Sequence, residues 1–365
     1  MTLAVGILMT PGAGTTKLVV DAERAGFDSA WFVDSPILFG DAFVAMAAAA
    51  AATSTIKVAS GVTNPVLRSA PILASSFATL EVNSPGRVIM GIGTGFTSTG
   101  AMGLPAAKLS DAAAFIDTVR ALLRGEVREI TFDDHTHRSI GFLNTTLPWL
   151  DPEARIPVYF AASGPKAIEL AARVGDGILL GGITQPEVIA DCIDVIRATR
   201  LEQGQDPDGA EIAITPSVYI TDRDVDLDDP DDFEHLREEL GPKSLAPAQN
   251  FSTIASTSKR VPPALVEQLL AVKAAYRPPT DDDGDPRTSH MRAYRGYMTQ
   301  LREDQRPLVT PSVLRATTIV GSPEQCASQL RVLEQSGITH VVLSPLPHHR
   351  ASTIETFGRD VLPAI

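Results

Sequence analysis

The chain repeats one local pattern eight times: a short β-prone run gives way to a stretch with helical periodicity. The strand-like runs are 3–8, 29–34, 56–62, 87–93, 157–162, 176–182, 211–220 and 338–345. Strands that alternate with helices pair in parallel, because each helix carries the chain back to the end where the next strand must start. Eight such units, with a closing helix at 350–361, predict an α/β fold: a (β/α)8 TIM barrel rather than an open doubly wound sheet. The 365 residues fit one such domain, and 44% hydrophobic content supplies a large core.

Local signals place several helix ends. Thr15-Thr16 can cap a helix that stops at Gly26, and Asp41 precedes an alanine-rich run read as a buried helix. Ser110 reads as an N-cap, with Asp111 in the first turn and Phe115, Ile116, Val119, Leu122 and Leu123 on one face. Ser322, Pro323 and Gln325 spell a capping box, and Gly337 closes that helix. Two regions break the rhythm, as insertions after strands four and seven. Residues 126–156 form a mixed connection. Residues 221–321 form a larger insertion with helix-like pieces near 262–276 and 290–303. A barrel carries its site on the loops at the C-terminal face, so 221–321 is a candidate lid.

Composition narrows the function. The formal net charge of −13 repels phosphate backbones and anionic lipid, so nucleic acid is not an expected partner. The apolar run 44–52 is far shorter than the roughly 20 residues of a membrane span. The first residues lack a basic leader and read as a first strand, which predicts a cytoplasmic protein. Cys192 and Cys326 read as buried structural thiols. His135 and His137 lie two apart without a third ligand, and His348-His349 read as a surface pair, so no metal is expected.

The strand ends hold the chemistry. They read Asp34-Ser35, "SGVTNP" (60–65), "GIGTGFTSTG" (91–100), "ASGPK" (162–166) and Gly181-Gly182. Small residues let a flat or phosphorylated ligand approach the backbone, whereas a hydrolase would need acid/base groups that are scarce here. The glycines of 91–100 do not have dinucleotide-fingerprint spacing. Lys57 is the one lysine within a predicted strand and lies at its start, away from the mouth, which argues against a lysine-based lyase. In "ASGPKA", Pro165 fits the first helical position. Free N–H groups and Lys166 then form an anion site.

These strand ends resemble the luciferase-like monooxygenase superfamily, in particular its branch near methylenetetrahydromethanopterin reductase and the coenzyme F420-dependent oxidoreductases. The matching segments are 25–34, 58–65, 87–95, 158–182 and 319–343. The resemblance implies an F420- or FMN-binding barrel, often a homodimer, with a non-proline cis peptide at Gly61-Val62 behind the cofactor ring. It implies Asn64 and Thr94 near the ring or its ribityl chain. It also implies Ala162, Ser163, Gly164, Pro165 and Lys166 at the phosphate, with Gly181 and Gly182 beside the cofactor. Asp34, Ser35 and Phe96 then face the substrate. Two departures matter: Ser35 replaces the histidine of several F420-dependent relatives, and Phe96 replaces the glutamate of the sugar-phosphate dehydrogenases. That favours a neutral or lipophilic small-molecule substrate. The expected activity is hydride transfer to or from that substrate. The alternatives are an FMN-dependent monooxygenase fed by a flavin reductase, and a non-catalytic flavin-binding protein.

Overall fold

The structure is a computed structural model and describes residues 3–131, 136–276, 285, 287–294 and 298–365, with backbone alone at 292 and 293. The strands are β1 (Ala4–Met9), β2 (Ser29–Phe32), β3 (Lys57–Ser60), β4 (Val88–Ile92), β5 (Arg128–Thr131), β6 (His137–Ile140), β7 (Val158–Ala162), β8 (Gly177–Leu180), β9 (Glu211–Ile214), β10 (Ser217–Ile220), β11 (Thr318–Gly321) and β12 (His340–Pro345). Eight of them close a parallel barrel in the order β1-β2-β3-β4-β7-β8-β9-β12, with β12 pairing back onto β1. The expected (β/α)8 barrel is the observed fold. The seventh predicted strand is split, because Pro216 lacks the N–H that a continuous ladder needs. Its upper half, β10, runs beside the end of β12 and carries β11 on its other edge.

The first helices are α1 (Thr15–Arg24), α2 (Ala42–Ala52), α3 (Ala70–Asn83), α4 (Phe96–Gly100), α5 (Leu109–Leu123), α6 (Pro165–Val174) and α7 (Pro186–Glu202). They are followed by α8 (Pro230–Thr257), α9 (Pro263–Ala275), α10 (Ser289–Ala293), α11 (Pro311–Thr317), α12 (Pro323–Gln335) and α13 (Arg350–Thr356). The capping box on α12 forms as read, with Ser322 Oγ accepting from Gln325 N–H. Three local readings are corrected. Gly14, in the left-handed region at φ 79°, caps α1, while Thr15 Oγ1 accepts from Gly12 N–H and donates to the Thr10 carbonyl. Lys108 caps α5, and Ser110 lies inside its first turn. The alanine-rich α2 buries one face only, with Val44 exposed.

Both excursions acquire structure. In the first, β5 and β6 pair antiparallel. The 221–321 insertion contains a 28-residue helix, α8, that the sequence reading did not place. The expected piece near 262–276 is α9, but the one near 290–303 is only the five-residue α10.

Strand side chains alternate between two faces, so every second one points into the barrel. The interior cluster is Trp31, Ala59, Ile89, Tyr159, Leu179, Ala213 and Val342, with Leu8, Val62 and Ala161 against it. The larger apolar layer lies between strands and helices, and both cysteines are buried there, with thiols pushed up to about 12 by burial. Trp31, Tyr159 and His340 pack edge to face inside the barrel. Trp31 Nε1 donates to Ser29 Oγ, which sits 2.9 Å from His340 Nε2. Burial and the Lys57 charge push His340 down to about 4, so it is neutral.

One carboxylate locks the N-terminal end. Glu23 Oε1 accepts from the N–H groups of Ser54, Thr55 and Ile56 at 2.6–3.0 Å. Burial alone would raise its pKa, but these donors bring it down to about 2. Glu23→Ala should cost about 2 kcal/mol at neutral pH, the worth of charge-assisted bonds. A depressed carboxylate lends stability that is full above its ordinary pKa of 4.5 and is lost as pH falls toward about 2. Thermal melts of both proteins should therefore converge in acid; a difference constant down to pH ~2 contradicts the clamp.

Candidate active site

The interior register continues past the strand ends and builds a floor at the C-terminal mouth. Thr10 follows Gly6 and Leu8, Gly61 follows Ala59, Ser163 follows Tyr159 and Ala161, Gly181 follows Leu179, and Ser344 follows His340 and Val342. Every one is small. A large enclosed ligand can lie flat over such a layer, while the aromatic stack fills the barrel beneath it.

The Gly61–Val62 peptide is cis, as the resemblance implies. Thr63 and Asn64 follow, fully buried. The Asn64 amide is largely used inside the protein: Nδ2 donates to Ser98 Oγ, and Oδ1 accepts from Val66 and Leu67 N–H. That fixes the β4–α4 turn, where Gly95 has φ 89° and leaves no room for a Cβ against Asn64. Thr94 is half-buried in the same turn, and its carbonyl accepts from Ala107 N–H.

Asp34 lies past the end of β2 and is 2% exposed. Burial raises its pKa, against the lowering effects of Thr63 and Arg68. Arg68 Nε is 3.8 Å from Asp34 Oδ2, but Arg68 spends its Nη2 on Asp41 at 2.6 Å. Among the described residues, Asp34 Oδ2, Thr63 Oγ1 and Arg68 Nε make no hydrogen bond although all are buried. Such orphaned polar atoms, gathered at one barrel mouth, fit a ligand with polar edges. Ser35 is buried, and its carbonyl accepts from Leu38 and Phe39 N–H. Phe96 opens α4 and is 60% exposed. Ile37, Phe39, Val66 and Leu104 are also exposed, on loops after β2, β3 and β4, so this side of the mouth has an apolar rim.

Pro165 begins α6, with Gly164 as its N-cap. Lys166 is exposed, Ser163 is half-buried and Ala162 ends the strand. A Cβ on Gly164 would meet no protein atom within 4 Å, so internal packing does not demand glycine there. Open space before free helical N–H groups and a lysine fits a phosphate. Gly181 and Gly182 have a packing reason instead: a Cβ would press on the Phe251 ring of α8 or on the Thr215 carbonyl and Pro247. The insertion thus crosses the top of β8. It also reaches the other side, where Tyr294 packs against Gly100 and His290 against Gly103.

Two features escaped the sequence reading. Glu239 of α8 lies 3.5 Å from His348 and 3.8 Å from His349, so the surface histidine pair also meets the insertion. Lys243, one turn on, reaches the end of β12. His135 lies outside the described residues; His137 is exposed on β6. A cleft of about 360 Å³ lies at the opposite, N-terminal end, lined in part by Asp28, Lys57 and Glu211. Its buried groups are already paired, Ser29 with His340 and Tyr159 with Glu211, so the unsatisfied mouth is the better site.

The luciferase-like monooxygenase family model matches residues 8–340. The chain belongs to that family. Among its luciferase-like relatives, 5,10-methylenetetrahydromethanopterin reductase of Methanolobus tindarius is 28% identical over 93% of each chain. F420-dependent glucose-6-phosphate dehydrogenase of Nocardia farcinica is 25% identical over 88% of this chain and 82% of its own. Among solved folds, coenzyme F420-dependent tetrahydromethanopterin reductase from Methanopyrus kandleri superposes with TM-score 0.66 and 22% identity, covering 100% of this chain and 99% of that one.

Asp34 gives this luciferase-like mouth a pH signature. A raised carboxyl lends stability that is full below the ordinary aspartate pKa and is lost as pH rises through the higher folded value. Asp34→Asn should flatten that descending limb in thermal melts run upward from about pH 4. An unchanged limb contradicts a buried, proton-holding Asp34.

Proposed function

We propose that the protein is a coenzyme F420-dependent oxidoreductase that moves a hydride to or from a small organic substrate at the C-terminal mouth. The observation that carries this reading is the buried, under-bonded polar cluster of Asp34, Thr63 and Arg68 beside the Gly61–Val62 floor, with an open helix N-terminus further round the same mouth. The F420-dependent relatives support deazaflavin over FMN.

The cofactor supplies the two-electron chemistry when bound. This chain's residues would do the rest. Gly61, Val62 and Thr94 would floor the ring and its chain, with Asn64 holding the turn in place. Ser163, Gly164 and Lys166 would hold the phosphate, with Pro165 setting the helix start and Ala162 its approach. Gly181 and Gly182 would let α8 close over the far side. Asp34, whose pKa burial raises, is placed to hold or release a proton at the mouth. Ser35 shapes the loop behind it, and Phe96 presents an apolar surface to substrate. The insertion, which touches both sides of the mouth through Phe251 and Tyr294, acts as a lid that excludes water. We further propose a cytoplasmic homodimer. Val44 and Ile72, exposed on the neighbouring α2 and α3, support the dimer. Among the described residues no helix is long and apolar enough to cross a membrane.

Fluorescence titration of the apoprotein with F420 and with FMN tests this directly. F420 should bind, and Ser163→Ala/Lys166→Ala should weaken it about tenfold, near 1.4 kcal/mol. Binding of FMN alone would favour the monooxygenase alternative with its reductase partner, and binding of neither would sink both.

A further inference from the structure

Two cations stand at the mouth on the side away from the α6 N-terminus, and nothing above uses them. Lys243 projects from α8 to the end of β12. Its Nζ donates to Ser344 Oγ at 2.9 Å and to the Ser344 and Pro345 carbonyls at 3.0 and 3.4 Å. Arg350, at the start of α13, is 6% exposed, and its Nη1 donates to Thr10 Oγ1 at 2.9 Å. Thr10, just past β1, and Ser344 of the adjacent β12 belong to the inward-facing floor. Both cations are therefore anchored to the rim of the site itself.

Their surroundings are unusual in charge. Each is held by uncharged oxygens, and among the described residues neither forms an ion pair with a carboxylate. The nearest acid along α8, Glu239, faces His348 and His349 instead. Arg350 Nε is buried without a hydrogen-bond partner among the described residues. Burial and the charge of Arg350 push the Lys243 amine down to about 7. A buried amine beside a buried guanidinium, with no counter-ion, is costly to keep charged, and a fold keeps such a pair most readily where an anion arrives to offset it. A purely structural tie between α8 and β12 would need hydrogen bonds but no cation.

We propose that Lys243 and Arg350 form an anion site that takes an oxyanion group of the substrate, a carboxylate or a phosphate. The inference rests on the oxidoreductase reading for the word substrate. It revises the neutral substrate that Phe96 alone indicates. With the apolar rim of Ile37, Phe39, Val66 and Phe96 running round the mouth from beside them, the substrate is an acid with an apolar body.

The test is calorimetric titration with inorganic phosphate and, separately, acetate. It is run in the Ser163→Ala/Lys166→Ala background, so that the proposed cofactor phosphate position does not contribute. Saturable binding of at least one anion is expected. It should fall about tenfold in added Lys243→Met or Arg350→Met and persist in Lys243→Arg and Arg350→Lys. Tighter phosphate identifies a phosphorylated substrate, and tighter acetate a carboxylic acid. Should Lys243→Met fail to fold, Arg350→Met against Arg350→Lys decides alone. No binding of either anion, or equal binding after the Met substitutions, overturns the site. F420 fluorescence titration runs in parallel in the otherwise wild-type chain. Lys243→Met should leave F420 affinity unchanged; a marked loss would overturn the substrate assignment and give these cations to the cofactor's own anionic groups. Failure of the wild type to bind F420, with anion binding intact, would sink the oxidoreductase reading and leave the anion site standing.

Discussion

Trp31, Tyr159 and His340 stack edge to face inside the barrel, with ring centroids 5.4–6.4 Å apart. The rest of the molecule is arranged around that packing. Three rings converge only because glycine stands opposite them: a Cβ on Gly177 would enter the Tyr159 ring, and one on Gly91 would crowd Trp31. The stack fills the barrel from within and keeps its lower end closed. The next inward layer toward the C-terminal end is then free to be small, and Thr10, Gly61, Ser163, Gly181 and Ser344 make it so. A solid barrel with a shallow, small-residue top is a platform for a large flat ligand rather than a channel.

Charge is divided across that platform. One side holds Asp34 with Arg68 and Asp41, where burial keeps a carboxyl protonated beyond its usual range. Beside it, at the neighbouring ends of β1 and β12, Lys243 and Arg350 stand without an acid. The proposed phosphate position at Ser163–Lys166 lies at the end of β7, across the ring of strands from β1. On the proposed reading these would supply a proton-holding group, a cofactor bed and an anion clamp, the parts that hydride transfer to or from an organic acid needs. The 221–321 insertion joins them, since α8 supplies Lys243 and also packs Phe251 over Gly181.

Much of this was legible in the residues. The eight strand runs gave the barrel because periodicity survives tertiary context when both faces of a strand are buried. Ser322 to Gln325 read correctly as a cap because that signal is local. The cis Gly61–Val62 peptide came only through resemblance, since no propensity marks it. The β5–β6 pair was hidden because its residues are exposed or half-buried and carry no apolar alternation. Pro242 and Pro247 disguised α8, because proline inside a helix ordinarily ends it. β11 was too short to stand out, and it exists only because β10 offers it an edge. Lys243 and Arg350 were invisible for a different reason. A lysine on a helix normally reads as solvated, and only the tertiary path of α8 brings this one to Ser344.

The central claim is that the ligand-binding end is the C-terminal mouth, over Gly61–Val62 and beside α6. A crystal structure of the protein soaked with F420 tests it most directly. The deazaflavin ring is expected against Gly61–Val62, with its phosphate at Gly164–Lys166. Density for F420 in the N-terminal cleft beside Asp28, Lys57 and Glu211 would contradict it.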